Sequence, residues 1–238
     1  MKTSPSDEAT QVQGGVGIAI PAAGMGRRMG GVRKPLLELA GEPILCHALR
    51  PFLALPDVEA VVVALSPEDA ASPPRWLIDL DVRIQVVEGG QTRLESVGRA
   101  LEALPDHLTV LGVHDAARPL ISSEVIEACI RVARTGVGAV AGWPVIDTLK
   151  EVDREDRVVS TPDRSRFWRA QTPQIFPAHL LRAAYRKALD EGHAATDDAA
   201  LISWIGAEVR MVPAAPWNLK VTHPEDLALA RTLLTQEP

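Results

Sequence analysis

Short apolar runs alternate with longer amphipathic segments along most of this chain. The short runs are rich in β-branched residues and almost continuous in hydrophobicity, which is typical of strands covered on both faces of a parallel sheet. They predict strands at VGIAIP (16–21), VEAVVVALS (58–66), VRIQVVE (82–88), TVLGVHDA (109–116) and GAVAGWPV (138–145).

The amphipathic segments between these runs predict helices. In QTRLESVGRALEAL, Leu94, Val97 and Leu101 share one helical face. The segment SSEVIEACIRVARTG opens on serines suited to helix capping and closes on Gly136. Regular alternation of strands and helices implies an α/β fold with a doubly wound, mostly parallel sheet and right-handed crossovers.

The alternation breaks between Asp147 and about Phe176, where short strand signals occur without a long helix. We predict a protruding β-hairpin arm at about 147–172. Helical patterns resume at PAHLLRAAYRKALDEG, TDDAALISWIG and HPEDLALARTLL, and VRMVPA predicts a strand among them. We expect a single domain over 16–238, preceded by a disordered tail at 1–15.

The chain carries 25 basic and 31 acidic side chains, a formal net charge of −6. This acidic balance argues against nucleic-acid or anionic-membrane partners. No apolar run is as long as a membrane span, and the N-terminal stretch lacks the apolar core of a signal peptide. Cys46 and Cys129 lie in apolar, helix-like segments and are interpreted as buried thiols in a reducing compartment. We therefore expect a cytoplasmic protein.

Against this acidic background, the stretch IPAAGMGRRMGGVRKP concentrates glycines and cations directly after the first predicted strand. A loop there faces the carboxyl edge of the sheet, and its glycines let backbone N–H groups approach a phosphate. Spacing excludes a Walker loop, because Lys34 precedes Pro35, and a dinucleotide fingerprint, because Met29 replaces its third glycine. Added cations suit a reaction at phosphorus. The alternative is a solvated basic loop whose glycines serve only as turn residues.

The motif PAAGMGRRM, followed closely by Lys34, resembles the signature of the 2-C-methyl-D-erythritol 4-phosphate cytidylyltransferase family. Later motifs of that family are resembled, in the same order, by GGQTRLESV (89–97), HDAARP (114–119), DTLK (147–150), PDR (162–164), QTPQIF (171–176), TDDA (196–199) and NLKVT (218–222). The resemblance covers about 16–234 and departs from the usual pattern at Pro35, where the family commonly has glutamine. It implies a Rossmann-like nucleotidyltransferase fold.

The resemblance also implies a reaction. CMP is transferred from CTP to 2-C-methyl-D-erythritol 4-phosphate by in-line attack on the α-phosphate, giving 4-diphosphocytidyl-2-C-methyl-D-erythritol and pyrophosphate. Arg28 and Lys34 are implied as catalytic residues around the α-phosphate and the leaving pyrophosphate. Mg²⁺ is expected as a cofactor held mainly by the CTP phosphates, since this cation often keeps water and phosphate ligands. No protein metal site is expected.

Resemblance further assigns a nucleotide site. Its expected residues are Pro21, Ala22, Ala23, Gly24, Gly26, Gly90, Gln91, Arg93, Ser96, Asp115 and Ala116. Backbone groups of the Gly-Gly-Gln turn and the Ser96 hydroxyl would read the base, while Asp115 would accept hydrogen bonds from ribose hydroxyls or metal-bound water. The alternative, purely structural interpretation of this turn is an ordinary helix start made by Thr92 and Glu95.

The polyol phosphate would be positioned by Thr148, Arg164, Thr172 and Lys220. Arg118 is a further candidate, which would hold Asp115 or touch substrate. In the family the arm crosses to a second subunit, so the resemblance implies a homodimer in which each site is completed by its partner. The alternative for Arg164 is a surface cation, and TDDA is interpreted as an ordinary helix N-terminus. His114 is interpreted as structural, because phosphate attacking phosphate needs no proton removed.

The nearest alternative function is ribitol-5-phosphate cytidylyltransferase or another CTP-dependent polyol-phosphate nucleotidyltransferase. PAAG and QTPQIF favour methylerythritol phosphate over ribitol phosphate. A sugar-1-phosphate nucleotidylyltransferase is less favoured, because those proteins are usually longer. Met29 disfavours an NAD-binding oxidoreductase, and a non-catalytic nucleotide-binding regulator would need neither Arg28 nor Lys34.

Overall fold

The computed structural model describes residues 14–24 and 36–235. Residues 1–13 of the expected tail lie outside the described residues. So does the segment 25–35, which includes most of the basic loop. Gly14 already belongs to the domain, because its carbonyl oxygen accepts a hydrogen bond from the Arg134 guanidinium.

Strands and helices follow each other in the order that the hydrophobic pattern indicates. The strands are β1 (Val16–Pro21), β2 (Glu38–Leu39), β3 (Glu42–Pro43), β4 (Val58–Leu65), β5 (Ile84–Glu88), β6 (Val110–Val113), β7 (Gly138–Pro144), β8 (Glu151–Val152), β9 (Val158–Ser160), β10 (Trp168–Pro177) and β11 (Val209–Pro213). The helices are α1 (Ile44–Leu53), α2 (Pro67–Ala71), α3 (Arg75–Ile78), α4 (Arg93–Ala103), α5 (Ser123–Ala133), α6 (Ala178–Glu191), α7 (Asp198–Trp204) and α8 (Pro224–Thr235).

Seven strands of the described chain form one sheet in the order β11-β7-β10-β6-β1-β4-β5. Every neighbouring pair is parallel except the two that involve β10, which runs antiparallel to both β6 and β7. Helices cover both faces of this sheet. The predicted doubly wound, mostly parallel α/β fold is therefore confirmed.

Successive residues of the central strands are buried on opposite faces. Ile18 and Ile20 of β1 belong to an apolar cluster with side chains of α1 and α5, whereas Ala19 packs with side chains of α4, α6 and α7. Because side chains alternate between the faces of a strand, a strand covered on both sides needs apolar residues at every position. This explains the continuous apolar runs in the sequence. One predicted boundary is too early: β5 begins at Ile84, and Val82 is fully exposed.

Local capping explains where the predicted helices begin and end. Thr92 caps α4 by accepting a hydrogen bond from the backbone N–H of Glu95 at 3.1 Å. Beyond α5, Gly136 adopts a φ of 89°, a left-handed conformation that favours glycine. Ser122 occupies the N-cap of α5, but its hydroxyl makes no capping hydrogen bond, so the expected serine cap is wrong in that detail.

The predicted arm is present as a hairpin of β8 and β9, which pair with each other and stand apart from the central sheet. Its apolar side chains face outward: Val152, Val158 and Val159 are each about half exposed or more. A folded hairpin that leaves its valines uncovered buries little apolar surface within its own chain.

The arm is shorter than predicted, because the residues from Trp168 onward form β10 of the central sheet. Ala170 pairs with Gly142 of β7, and Gln174 pairs with Val113 of β6. The sequence gives a short strand signal here, but its place in the central sheet was not predicted, because polar residues interrupt the apolar pattern. Those residues are buried through hydrogen bonds, which compensate for the loss of water.

Cys46 and Cys129 are buried free thiols on α1 and α5, as expected. Within 14–24 and 36–235, no helix is long and apolar enough to span a membrane. The same residues contain no group of three or more His, Cys, Asp or Glu side chains that could hold a metal ion.

Candidate functional site

A cavity of about 550 Å³ opens at the carboxyl edge of the sheet, where β1, β5 and β6 end. It is lined by Pro21, Ala22, Ala23, Gly24, Gly90, Gln91, Thr92, Arg93, Ser96, Asp115, Ala116, Ala117 and Lys220. Every expected nucleotide-binding residue is in this list except Gly26, which lies outside the described residues. Parallel strands bring their carboxyl ends to one edge, so three segments that are distant in sequence share this first cavity.

One wall of the first cavity is the Gly-Gly-Gln turn. The Ser96 hydroxyl accepts a hydrogen bond from the Gly90 N–H at 3.0 Å, and the Glu95 carboxylate accepts one from the Gln91 N–H at 2.6 Å. A Cβ on Gly89 would lie 2.4 Å from the Cβ of Ala23, so only glycine lets this turn pack against the end of β1. Hydrogen bonds within the chain thus hold this turn in place without a ligand. The helix-start interpretation is correct, and it is compatible with base recognition.

At the base of the cavity, the Asp115 carboxylate is surrounded by three cations. Its oxygens lie 2.8 Å from Lys220 Nζ and 3.6 Å from the Nε atoms of Arg93 and Arg118. Burial would raise the pKa of Asp115, but Lys220 and Arg93 outweigh it and lower the pKa to about 2. Of the two roles expected for Arg118, the structure shows the first, which is holding Asp115.

A candidate site residue that sequence reasoning missed is Asp198, the first residue of α7. It is fully buried, and its carboxylate accepts two hydrogen bonds of 2.8 Å from the Arg93 guanidinium. The Tyr185 hydroxyl donates to the same carboxylate. Burial alone would lower the pKa of Arg93, but Asp198 raises it overall. This bidentate pair fixes the plane of the guanidinium that lines the first cavity.

The interpretation of TDDA as a helix N-terminus is confirmed: Asp198 lies in the first turn of α7, and the residue before it, Asp197, is the N-cap. Its side chain accepts a hydrogen bond from the Ala200 N–H at 2.9 Å and caps α7. Asp198 shares the buried face of α7 with Leu201 and Ile202. The sequence does contain a signal for this role: Asp198 falls on the same helical face as apolar residues. A carboxylate on a buried face needs a buried partner.

A second cavity of about 330 Å³ adjoins the first. It is lined by Arg93, Asp115, Arg118, Ala170, Gln171, Thr172, Gln174, Thr196, Asp197 and Lys220. Arg93, Asp115 and Lys220 line both cavities, so the two spaces meet at the ionic cluster. Thr172 and Lys220, which were predicted to position a second substrate, both lie here. Thr172 is almost fully buried, and its hydroxyl accepts a hydrogen bond from the Asp115 N–H at 3.0 Å.

Two predicted residues are not brought to either cavity of their own chain. Thr148 and Arg164 are exposed and do not line these cavities. The Arg164 guanidinium donates instead to the Ile146 carbonyl at the base of the arm. The catalytic candidates Arg28 and Lys34 lie outside the described residues, between Gly24 of the first cavity and the chain that resumes at residue 36.

A doubly wound sheet with a glycine-walled, cation-bearing cavity at the carboxyl ends of its strands defines a nucleotide-binding α/β protein. Comparison with known proteins narrows this class to one family. Residues 16–236 match the IspD family, described as 2-C-methyl-D-erythritol 4-phosphate cytidylyltransferase, and the chain belongs to that family. It is therefore an enzyme of the nucleotidyltransferase class.

Individual relatives agree over nearly the whole chain. The 2-C-methyl-D-erythritol 4-phosphate cytidylyltransferase of Symbiobacterium thermophilum is 42% identical, with 93% of this chain and 94% of the relative covered. That of Actinobacillus pleuropneumoniae is 43% identical, with 91% and 95% covered. The crystal structure of the Thermus thermophilus enzyme of the same name is 36% identical, with a TM-score of 0.77 over 93% of this chain and 100% of the other. The 4-diphosphocytidyl-2C-methyl-D-erythritol synthase of Anaerococcus prevotii is 28% identical, with a TM-score of 0.84 over 94% and 97%.

Proposed function

We propose that the two joined cavities are where this chain carries out the reaction of its family, the transfer of CMP from CTP to 2-C-methyl-D-erythritol 4-phosphate. The observation that carries the proposal is the ionic cluster shared by both cavities. Arg93, Arg118 and Lys220 surround Asp115, so three cations face one carboxylate where the cavities meet. Two anionic substrates placed on either side would approach each other over positive charge, which lowers the cost of their contact.

CTP is assigned to the first cavity, with its base at the Gly-Gly-Gln turn. Because the N–H groups of Gly90 and Gln91 are bonded to Ser96 and Glu95, the turn offers a base carbonyl oxygens and not N–H groups. The Gly89 oxygen already accepts from Arg99 but can accept a second hydrogen bond. Carbonyl oxygens accept a hydrogen bond from the amino group of cytosine but repel the corresponding oxygen of uracil. The turn therefore favours CTP over UTP. Arg93, held flat by Asp198, lies beside the bound nucleotide.

The polyol phosphate is assigned to the second cavity, where Lys220 and Arg118 supply charge and Thr172 lies close by. An oxygen of its phosphate attacks the α-phosphorus of CTP, and a new P–O bond forms. The bond from that phosphorus to the oxygen bridging it to the β-phosphate breaks, and pyrophosphate leaves with the electron pair. Arg28 and Lys34 would stabilise the charge that builds on the equatorial and leaving oxygens.

Mg²⁺ is proposed as a cofactor that the CTP phosphates hold. Among the described residues that line the first cavity, Asp115 is the carboxylate, and it already contacts Lys220 at 2.8 Å. This lining fits a metal ion that takes its ligands from the nucleotide and not from the protein. One such carboxylate could accept a hydrogen bond from a metal-bound water, and Mg²⁺ would take its ligands from phosphates and water. When bound, Mg²⁺ neutralises triphosphate charge.

We also propose a homodimer built through the arm. The outward-facing valines of β8 and β9 leave an apolar surface that a second copy would cover. Thr148 and Arg164 lie on or beside the arm and away from the cavities of their own chain. An arm that crosses to a partner would bring these two residues to the partner's second cavity, where Arg164 adds a cation for the polyol phosphate.

The proposed function is tested by pyrophosphate release from CTP with methylerythritol phosphate and, separately, with ribitol 5-phosphate. The expected result is rapid release with the first acceptor and slow release with the second. UTP in place of CTP should be a poor donor. Faster release with ribitol 5-phosphate would favour the alternative cytidylyltransferase, and no release with either acceptor would refute the proposal.

A further inference from the structure

His114 is a buried histidine beneath the two cavities that the transfer reaction does not use. Its side chain is fully buried, and its ring lies 5.0 Å from that of Phe52. Nε2 lies 3.1 Å from the Arg118 carbonyl oxygen, and Nδ1 lies 3.1 Å from the Thr172 hydroxyl oxygen. Both ring nitrogens are therefore used inside the protein.

The partners of the ring fix the positions of the protons. A carbonyl oxygen can only accept, so Nε2 carries the proton and Nδ1 must accept from the Thr172 hydroxyl. The Thr172 oxygen in turn accepts from the Asp115 N–H at 3.0 Å. Burial lowers the pKa of His114 to about 4, so the ring is neutral near pH 7. The bonds form one directed series from Asp115 through Thr172 and His114 to Arg118.

This series joins segments that carry the proposed substrate contacts. Asp115 and Arg118 lie on the turn after β6, and Thr172 lies in β10. A third segment is tied to the same place, because Arg118 donates to the Asn218 carbonyl at 2.8 Å and the Asn218 amide donates to the Thr172 carbonyl at 3.0 Å. Lys220 follows two residues later in that segment.

We infer that His114 is a positioning residue for the transfer reaction, acting on the polyol-phosphate side. It sets the rotation of the Thr172 hydroxyl and, through the Asp115 N–H, the turn that presents Asp115 and Arg118 to the second cavity. The inference rests on the proposed assignment of that cavity to the polyol phosphate. His114 itself touches no reacting atom, since no proton is removed from the attacking phosphate.

Two substitutions separate the two hydrogen bonds of the ring. In His114→Asn, the side-chain amide reaches about as far as Nδ1 and can still accept from Thr172. In His114→Gln, the amide reaches about as far as Nε2 and can still donate to Arg118, but the acceptor for Thr172 is lost. We expect kcat/KM for methylerythritol phosphate to fall roughly tenfold in His114→Gln, the effect of one lost positioning hydrogen bond, and less in His114→Asn. The KM for CTP should change much less in both.

A double-mutant cycle with Thr172→Val tests whether His114 acts through Thr172. If it does, the double variant His114→Gln with Thr172→Val should be about as slow as the slower single variant, because the second change removes a bond already broken. Multiplicative losses would overturn the inference. So would an equal rise in the KM values of both substrates.

A stability control separates positioning from simple loss of packing. Leu77→Ala removes a buried side chain on α3, which packs at the β5 side of the sheet. This variant should lower Tm while kcat and both KM values of the folded enzyme stay near wild type. If His114→Gln lowers Tm but leaves the kinetics unchanged, His114 is only structural. If it removes the acid limb of the kcat/KM profile near neutral pH, His114 is a base, and the inference is wrong.

The proposed function and this inference fail in different ways. Absence of pyrophosphate release by the wild-type enzyme contradicts the function itself. Normal wild-type release together with additive or substrate-independent effects of the variants contradicts only the role of His114.

Discussion

The two cavities at the carboxyl edge of the sheet are built in different ways. The Gly-Gly-Gln wall of the first is fixed by bonds within one turn and the start of its helix, such as those from Gly90 to Ser96 and from Gln91 to Glu95. The second is held by bonds between distant segments, such as Asn218 to Thr172, which are 46 positions apart.

This difference has a functional meaning in the proposed reaction. A nucleotide site made of short local motifs can be complete within one chain before ligand binds. The polyol-phosphate site instead depends on three distant segments and, in our proposal, on a second copy that supplies Thr148 and Arg164. Changes to residues that line only the first cavity should therefore affect CTP alone, whereas changes to residues that line only the second should affect the acceptor.

The largest expected effect comes from the cations that would act on both substrates at once. Arg28→Ala and Lys34→Ala should each lower kcat by about two to three orders of magnitude, because each removes charge stabilisation from the transition state. Steady-state pyrophosphate release measures this loss. Arg27→Ala is the matched control, since Arg27 is a neighbouring cation without an assigned role. Near-normal kcat in both Arg28→Ala and Lys34→Ala would contradict the assignment.

The next effect should fall mainly on CTP, although Arg93 lines both cavities. Asp198→Asn keeps the shape of the side chain but removes the charge that holds Arg93. We expect about tenfold weaker CTP binding and a loss of about 1–3 kcal/mol in the free energy of unfolding, moderated because Arg93 is 35% exposed to water. Calorimetric titration and urea unfolding measure the two quantities.

Asp197→Asn is the control for that substitution. It makes the same chemical change one residue earlier, where asparagine caps a helix about as well as aspartate. CTP affinity should stay near wild type in this variant. Equal losses of CTP affinity in both variants would show that Asp198 acts through the helix and not through Arg93.

A similar effect on one substrate, but without a loss of stability, should be confined to the second cavity. Arg164→Ala should raise the KM for methylerythritol phosphate about tenfold and leave the KM for CTP unchanged, since one charge-assisted contact to phosphate is lost. Arg157→Ala is the control, because Arg157 lies on the same arm and pairs locally with Asp153 and Glu155. Steady-state kinetics with each substrate varied in turn give the comparison.

Mixing two defective chains tests whether the arm acts in the partner. A dimer of one Lys34→Ala chain and one Arg164→Ala chain would contain one site with both native residues. Random exchange of subunits should then restore about one quarter of the native sites. The activity must be measured well below the KM for methylerythritol phosphate, where Arg164→Ala is slow. Activity that never exceeds the average of the two separate variants under these conditions would mean that Arg164 acts in its own chain or not at all.

The smallest effect concerns acid stability at the junction of the cavities. Asp115 has its pKa lowered from 3.8 to about 2 in the folded chain, so its pairing stabilises the fold above pH 4. That contribution, about 2 kcal/mol, should be lost as the pH falls from about 4 to 2. Urea unfolding at several pH values should show a smaller acid loss in Asp115→Asn. Above pH 5, Asp115 should cause no inflection in kcat.

Asp81 offers a control with a similar titration but no contact with either cavity. Hydrogen bonds from Arg83 lower its pKa to about 2 as well. Asp81→Asn should remove a similar share of the acid-dependent loss and leave the kinetics unchanged. An acid loss of the same size in wild type and Asp115→Asn would contradict the pairing energy assigned to Asp115.

The parts of the molecule that sequence reasoning predicted are those with local causes. Strands such as β1 and β4 are buried on both faces, so their apolar runs are visible without knowledge of their neighbours. The first cavity was predictable because a loop after a parallel strand must lie at the carboxyl edge of the sheet. Family motifs then identified which of its residues would meet a nucleotide.

The parts that were missed have partners far away in the sequence. Asp198 is paired with Arg93, 105 positions earlier, and nothing in TDDA names that partner. Thr172 and Gln174 lie in a sheet strand, but their burial depends on hydrogen bonds to other segments and leaves no apolar pattern. For this reason the C-terminal boundary of the arm was predicted too late, because β10 of the central sheet already begins at Trp168.

The central claim is that both substrates meet over the Asp115 cluster. It is tested most directly by a crystal structure with methylerythritol phosphate and a CTP analogue whose α,β-bridging oxygen is replaced by methylene. We expect the α-phosphate of the analogue in the first cavity, the acceptor phosphate in the second, and Lys220 within hydrogen-bond distance of at least one of them. An acceptor bound outside the second cavity would contradict the account. So would a structure in which Lys220 stays paired with Asp115 and contacts neither the α-phosphate nor the acceptor phosphate.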